Sequence, residues 1–262
     1  MIQKELQPSA LHGGDTGAPA RGASASAPRG GDWLSTIGQE IARVPVLLRH
    51  MRATWEVPGI DALQPAALER LGIRGIVWDV DGTLMRRGDT SVAGHLQSAL
   101  DRLLAGGRIR HAIVSNCGEA RFLALSRIFP EVPLLRVYRA PARLLRRLRL
   151  GDAERWSPGL PAAGELESAR ALRKPSPELM RFALAELGLP AAQVALVGDQ
   201  RLTDIACANL AGLRSVKVQT LGRESFPFAV RCLQRAEEAA YRVLYRRTAH
   251  AGSVEAGSVE AA

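Results

Sequence analysis

The residues of this chain able to do chemistry fall in four short segments: Asp79-Val80-Asp81-Gly82-Thr83-Leu84, Ser115-Asn116, Lys174-Pro175, and Gly198-Asp199-Gln200 with Thr203-Asp204. Asp79 and Asp81 are two positions apart, so at the end of an extended strand their side chains point to the same side, and Gly82 lets the backbone turn away. Two carboxylates this close cannot both ionise freely without a cation, and the pair reads as a nucleophile and a general acid/base beside a divalent metal. In that reading Asp79 attacks phosphorus and forms an aspartyl-phosphate, while Asp81 protonates the leaving oxygen and then deprotonates the attacking water. A carboxylate attacks a phosphate dianion only where positive charge is supplied, and Mg²⁺, which prefers hard oxygen ligands, is the natural source. The expected metal set is Asp79, Asp81 and Asp199. Lys174 offers a point charge to the transferring oxygens and Ser115 a hydroxyl donor, with Asn116 in the same phosphate-binding set. Asp204 and Thr83 support from behind, Asp204 by holding Lys174 or a metal-bound water.

Taken singly, each segment has a bland reading as a solvated turn or an ordinary strand end. Their order and their placement change that. The first segment follows the apolar run 75–78, the second 112–114 and the last 194–197, so all three polar clusters sit at the carboxyl ends of expected buried strands, where open parallel sheets bind ligands. The surrounding pattern alternates. Helices are expected over 65–71, 91–105, 119–128, 176–187 and 204–211, and strands over 75–79, 109–115, 134–138, 194–198 and 215–219. Strands separated by helices of this length predict an α/β doubly wound parallel sheet. Pro177 suits a helix start and Gly188 its stop.

Outside this core, residues 1–31 are rich in Gly, Ala, Ser and Pro and read as a disordered tail, and 250–262 as a flexible tail carrying a five-residue repeat. Between the first tail and the sheet, apolar residues from Leu34 to Trp55 recur at steps of three and four, predicting an amphipathic basic helix over 32–57 with a kink near Pro45. Such a helix packs on the domain or on a second subunit, or lies on an anionic membrane surface; the sequence leaves these open. The remaining divisions are a domain over 58–222 with an insertion near 139–173, and a C-terminal helix over 223–249. The segment 136–149 carries six arginines, expected as a basic groove or, with Leu144, Leu145 and Leu148 as an apolar side, a solvated helix.

The net charge of +9 favours anionic partners. Of the 35 basic residues only Lys4, Lys174 and Lys217 are lysine, which looks like GC-rich coding bias and weakens that inference. Cys117, Cys207 and Cys232 are widely spaced with no C-x-x-C pair, fitting reduced thiols. No apolar run is long enough to span a bilayer and no secretory layout is visible, so a cytoplasmic location is expected, with peripheral contact at the inner face of the membrane if the basic helix binds lipid.

The four segments together resemble the motifs of the haloacid dehalogenase (HAD) superfamily of aspartate-nucleophile phosphatases. Residues 79–84 match its first motif, Ser115 the second, Lys174 the third, and Gly198-Asp199 with Asp204 the fourth, over roughly 59–221. The resemblance implies a HAD-like Rossmannoid fold, and Mg²⁺ held by Asp79, the backbone carbonyl of Asp81, and Asp199. Residues 59–75 leading into the first motif, and Gln200 and Thr203 in the fourth, resemble the subfamily IIIA, phosphatidylglycerophosphate phosphatase-like branch. That branch implies little or no cap, and it usually carries Asn where this chain has Gly82. Only 85–110 separate the first two motifs, leaving no room for a lid there, whereas 139–173 is longer than the branch implies and could form a small lid.

The expected function is therefore a Mg²⁺-dependent phosphomonoester hydrolase, with phosphatidylglycerophosphate as the favoured phosphate-ester substrate. The alternatives are a phosphatase for a soluble ester (a sugar phosphate, phosphoglycolate or a nucleotide) and a non-catalytic binding protein with a basic surface. Nucleic acid is not an expected partner: aromatic residues make up only 5% of the chain, too few for a stacking platform.

Overall fold

The computed structural model describes residues 44–105 and 107–245; the expected tails over 1–31 and 250–262, most of the first half of the 32–57 helix, and residues 246–249 lie outside these. In chain order the strands are β1 (Trp55–Glu56), β2 (Gly75–Trp78), β3 (Arg110–Ile113), β4 (Leu134–Arg139), β5 (Leu144–Leu150), β6 (Ala153–Ser157), β7 (Arg170–Ala171), β8 (Val194–Gly198) and β9 (Arg214–Lys217). The helices are α1 (Pro65–Arg70), α2 (Gly94–Ala105), α3 (Glu119–Ile128), α4 (Glu165–Ser168), α5 (Pro177–Leu187), α6 (Ala206–Leu210) and α7 (Phe228–Tyr245).

All nine strands form one sheet in the order β1-β9-β8-β2-β3-β4-β5-β6, with β7 also on β4. From β1 to β4 every pairing is parallel. The central strands β2 and β8 are buried at every residue, which their uninterrupted apolar runs require, since a parallel sheet is covered on both faces. Alternation along these strands divides the core in two. Ile76, Trp78, Ala195 and Val197 pack with residues of α1, α2 and α3 on one face. Val77, Val194 and Leu196 face Leu179, Met180 and Ala183 of α5 and Cys207 and Ala208 of α6 on the other. Helix α5 starts with Pro177 and stops at left-handed Gly188 as its sequence predicts.

The edge beyond β4 differs from the expectation. Strands β5 and β6 form an antiparallel hairpin that continues the sheet, so 136–149 is neither a helix nor a basic groove, and the insertion over 139–173 contributes β5, β6 and β7 to the sheet. Charge pairing ties the hairpin's arginines to its own β6 and to neighbouring helices. All six arginines of the segment pair with glutamate: Arg136 and Arg147 with Glu119, Arg147 and Arg149 with Glu154, Arg139 with Glu178, Arg143 with Glu165 and Arg146 with Glu186. Partners supplied from α3, α4, α5 and β6 neutralise a run that is basic in linear sequence.

The expected 32–57 helix also ends early. Residues 44–49 are helical, a turn follows at His50, and Trp55–Glu56 pairs in parallel with Val216–Lys217 of β9. Tertiary contacts override the helical period here. The Asn209 amide donates to the carbonyls of His50 and Arg52 at 2.6 and 2.8 Å, Thr54 and Ser215 exchange backbone-to-hydroxyl bonds, and Met51 is fully buried.

Candidate active site

The carboxyl ends of β2, β3 and β8 converge on a cavity of about 570 Å³ lined by Asp79, Asp81, Ser115, Asn116, Lys174, Gln200, Thr203 and Asp204. Asp79 leaves the end of β2. The chain then turns sharply: the Gly82 amide donates to the Met85 carbonyl at 2.7 Å, and Gly82 sits at φ +96°, where a residue with a Cβ is strained. A Cβ there would also lie 2.8 Å from a carboxylate oxygen of Asp199. Gly82 therefore both makes the turn and lets Asp199 approach it. Gly198 does the same for Asp204, because a Cβ at 198 would meet the Asp204 side chain at 2.4 Å.

Lys174 is the hub. Its Nζ lies 2.5 Å from Asp79 Oδ1 and 2.7 Å from Asp204 Oδ1, and it is buried with both. Burial alone would lower the lysine pKa, but Asp204 and Asp79 more than offset that and hold the ammonium above its usual range. Asp79 is pushed up to about 6, first by burial and then by the repulsion of Asp204, with Lys174 opposing. Thr83 Oγ1 donates to Asp79 Oδ2 at 3.4 Å.

One lysine faces three carboxylates. Asp79, Asp199 and Asp204 bring ligand oxygens within 4.8 Å of one another. Both Asp199 oxygens are buried without a hydrogen-bond donor of normal geometry, although Thr220 lies close enough to favour the charged form slightly. Burial first, then repulsion from Asp204 and Asp79, hold this carboxyl well above the usual range. An all-oxygen set with uncompensated negative charge and orphaned acceptors fits a hard divalent cation such as Mg²⁺.

The predicted site residues come together, and two of them have partners that the sequence did not indicate. The Asp81 carboxylate is turned to Arg121, whose Nε and Nη2 both donate to Oδ1 at 3.2 and 2.6 Å, and the carboxylates that cluster are those of Asp79, Asp199 and Asp204. Asn116, expected to bind phosphate, lines the cavity and also clamps Lys174. Its Nδ2 donates to the Lys174 carbonyl and its Oδ1 accepts from the Lys174 amide, both at 2.9 Å, leaving only Ser115 of that pair facing the cavity without a bond to the lysine backbone.

Sequence reasoning missed three contributors. Arg121, one turn into α3, carries no local signal linking it to Asp81, forty positions away. Glu237 of α7 accepts the backbone N–H groups of Arg201 and Leu202 at 2.6 and 3.2 Å. It thereby caps the first turn after β8, which is a single π-turn over Arg201–Ile205 in place of the expected α-helix start and carries Asp204. The third contributor is apolar: Phe226, just before α7, and Val230 and Leu233 in its first two turns line the cavity mouth. Of the long 139–173 insertion, by contrast, only Arg173 lines the cavity.

Comparison with known proteins gives the following similarities. A HAD-hydrolase-like family matches residues 171–225, which hold Lys174 and the Gly198-to-Asp204 segment. The chain is 33% identical over 191 residues to phosphatidylglycerophosphate phosphatase 1, chloroplastic, from Chlamydomonas reinhardtii, an alignment covering 73% of this chain. The chain spans about 60% of the length of that relative. A crystal structure of an uncharacterized protein from Listeria monocytogenes serotype 4b aligns with 17% identity and a TM-score of 0.37, over 59% of this chain and 85% of that one. Motif order, site geometry and the sequence matches thus point the same way: the segment holding Lys174 and Asp199 matches a HAD-hydrolase-like family, and the chain is similar to a phosphatidylglycerophosphate phosphatase.

Proposed function

We propose that this protein is a Mg²⁺-dependent phosphomonoesterase that works through an aspartyl-phosphate on Asp79, and that its substrate is a phosphatidylglycerophosphate-like lipid phosphate. The observation that carries the reading is the buried Asp79–Lys174–Asp204 chain beside the orphaned Asp199 carboxylate, at the carboxyl edge of a parallel sheet. Asp79, Asp199 and Asp204 would hold the cation, which supplies positive charge against which a phosphate dianion can be approached.

The chain's own groups supply the rest. Lys174 holds Asp79 Oδ1 and draws phosphoryl oxygens toward the nucleophile, while Thr83 steadies the other oxygen of the same carboxylate. An Asp79 oxygen forms the bond to phosphorus as the P–O bond of the ester breaks. Asp81, presented to the cavity on the adjoining turn, gives the departing alkoxide its proton and later takes one from the water that cleaves the acyl phosphate. Arg121 fixes the Asp81 carboxylate for both steps, and Ser115 donates to a phosphoryl oxygen. Asn116 acts at one remove, by fixing the backbone of Lys174.

The lipid preference draws support from the named relative and from the apolar mouth formed by Phe226, Val230 and Leu233. The test is phosphate release with Mg²⁺ from phosphatidylglycerophosphate in mixed micelles beside a panel of soluble phosphate esters, with Asp79→Asn as the blank. Lipid turnover that exceeds every soluble ester and vanishes in Asp79→Asn is the expected result. Preference for a soluble ester would overturn the substrate assignment, and turnover retained in Asp79→Asn would overturn the nucleophile.

A further inference from the structure

Helix α7 is amphipathic the wrong way round for a helix that merely covers a core. Its inward side is polar: Gln234 and Glu237 are buried, Tyr241 is half-buried, and Glu237 and Glu238 hold the Arg201 turn. Its outward side is apolar. Phe228 is 71% exposed, Val243 77%, and Leu233 and Leu244 51% each, and Cys232, Ala236 and Ala239 on the same face are exposed as well. At 100° per residue these positions form one continuous apolar stripe along an 18-residue helix, about 27 Å long.

What flanks the stripe identifies its partner. On one flank lie Arg231, Arg235 and Arg242, and among the described residues none of the three forms an ion pair. This contrasts with the six arginines of 136–149, every one of which is paired. The acidic residues of α7 are turned inward, so the only exposed charge on the helix is positive. Arg235 and Arg242, with Arg223, also rim a second cavity of about 730 Å³ between α7 and the β1–β9 edge of the sheet. On the other flank lie Val230 and Leu233, which line the mouth of the Asp79 cavity.

An apolar stripe bordered by unpaired arginines matches the surface of an anionic bilayer, with acyl chains under the stripe and headgroup phosphates beside the guanidinium groups. We infer that α7 is the membrane-docking element of this protein, lying in the plane of an anionic bilayer and bringing the Asp79 cavity to the headgroup layer. No helix among the described residues is long and apolar enough to cross a membrane, so this contact is peripheral. The inference deepens the phosphatase reading, on which it rests for its purpose, by giving the substrate class as a phosphate monoester presented at a lipid surface.

The test reads docking without turnover. The full-length protein is floated with phosphatidylcholine vesicles, with and without about one third phosphatidylglycerol, at low and high salt. Binding to the anionic vesicles that weakens in salt is expected. Phe228→Ser with Val243→Ser should cut the partition coefficient by at least about tenfold, and Arg235→Ala with Arg242→Ala by about 30-fold. These four side chains are exposed and lie outside the Asp79 cavity, so hydrolysis of a soluble ester should stay at the wild-type rate, which also reports folding. Asp79→Asn should bind vesicles like wild type. If it does and no lipid phosphate is released by the wild type, the phosphatase reading fails while the docking surface stands. Undiminished vesicle binding by both double variants would overturn the inference, as would loss of binding only on deletion of residues 1–43. Absence of vesicle binding, with a concentration-dependent dimer that Phe228→Ser/Val243→Ser abolishes, would assign the face to a second copy and overturn it equally.

Discussion

In the absence of a divalent cation, Asp199 is a source of instability, and Asp199→Asn should reveal it. Its two oxygens are buried without a hydrogen-bond donor of normal geometry, Asp79 and Asp204 stand within ligand distance of it, and Lys174, with a smaller contribution from Lys217, has to balance three carboxylates. Leaving a buried polar group unsatisfied costs about 1–3 kcal/mol, and the substitution removes the charge while supplying an amide donor to the neighbouring carboxylates. At about 2–4 °C per kcal/mol for a domain of this size, Asp199→Asn in EDTA should melt about 2–12 °C above wild type. Magnesium should reverse the ranking. Saturation at about 100-fold over the dissociation constant stabilises the wild type by about 2.7 kcal/mol, or about 5–11 °C, and the variant much less. The assay is thermal unfolding followed by circular dichroism in EDTA and across a MgCl₂ titration, with NaCl matching the ionic strength. An Asp199→Asn protein that melts below wild type in EDTA, or that keeps the full magnesium response, would refute the assignment of Asp199 as an unsatisfied cation ligand.

Two other substitutions probe the supports of the site. Glu237→Ala strips the acceptors from two backbone N–H groups and should cost about 2–5 kcal/mol in urea unfolding; a loss under about 0.5 kcal/mol would deny Glu237 its capping role. The cost should depend on pH. Burial pushes the Glu237 carboxyl up to about 7 from 4.5, against the bonds from Arg201 and Leu202. The stability this shift lends is complete below pH 4.5 and is lost as pH rises through 7, so the gap between wild type and Glu237→Ala should be wider at pH 5 than at pH 8, by up to about 3 kcal/mol. An equal gap at the two pH values would show that Glu237 does not titrate there. Arg121→Ala should slow phosphoester hydrolysis about tenfold or more by freeing Asp81, and Arg121→Lys should restore only part, because an ammonium cannot reproduce two donors on one oxygen. An unchanged rate in Arg121→Ala would remove Arg121 from the positioning of Asp81.

Much of this protein was legible in its sequence because the relevant signals are local. The buried runs of β2 and β8, the proline and glycine bounding α5, and the polar clusters at three strand ends are each written within a few consecutive residues. A parallel sheet then brings its carboxyl ends together whatever the intervening loops do, so the gathering of Asp79, Asp81, Ser115, Asp199 and Asp204 followed from the strand assignments, whereas Lys174 reaches them from a loop. Tertiary structure decided what depends on partners distant in sequence. The arginines of 136–149 read as a basic groove or a solvated helix because the glutamates that neutralise them lie elsewhere in the chain, on α3, α4, α5 and β6. Periodicity alone ran the first helix through Trp55, whereas an open edge at β9 and the Asn209 amide drew that stretch into the sheet. Asn116 and Asp81 kept their places but changed partners, since only the folded chain sets the Lys174 backbone beside one and Arg121 beside the other. The sequence by itself determined which groups are available for the proposed chemistry, because residue type and strand register are local properties. The fold decided how those groups are charged, clamped and reached, because burial and electrostatic pairing exist only once distant segments meet.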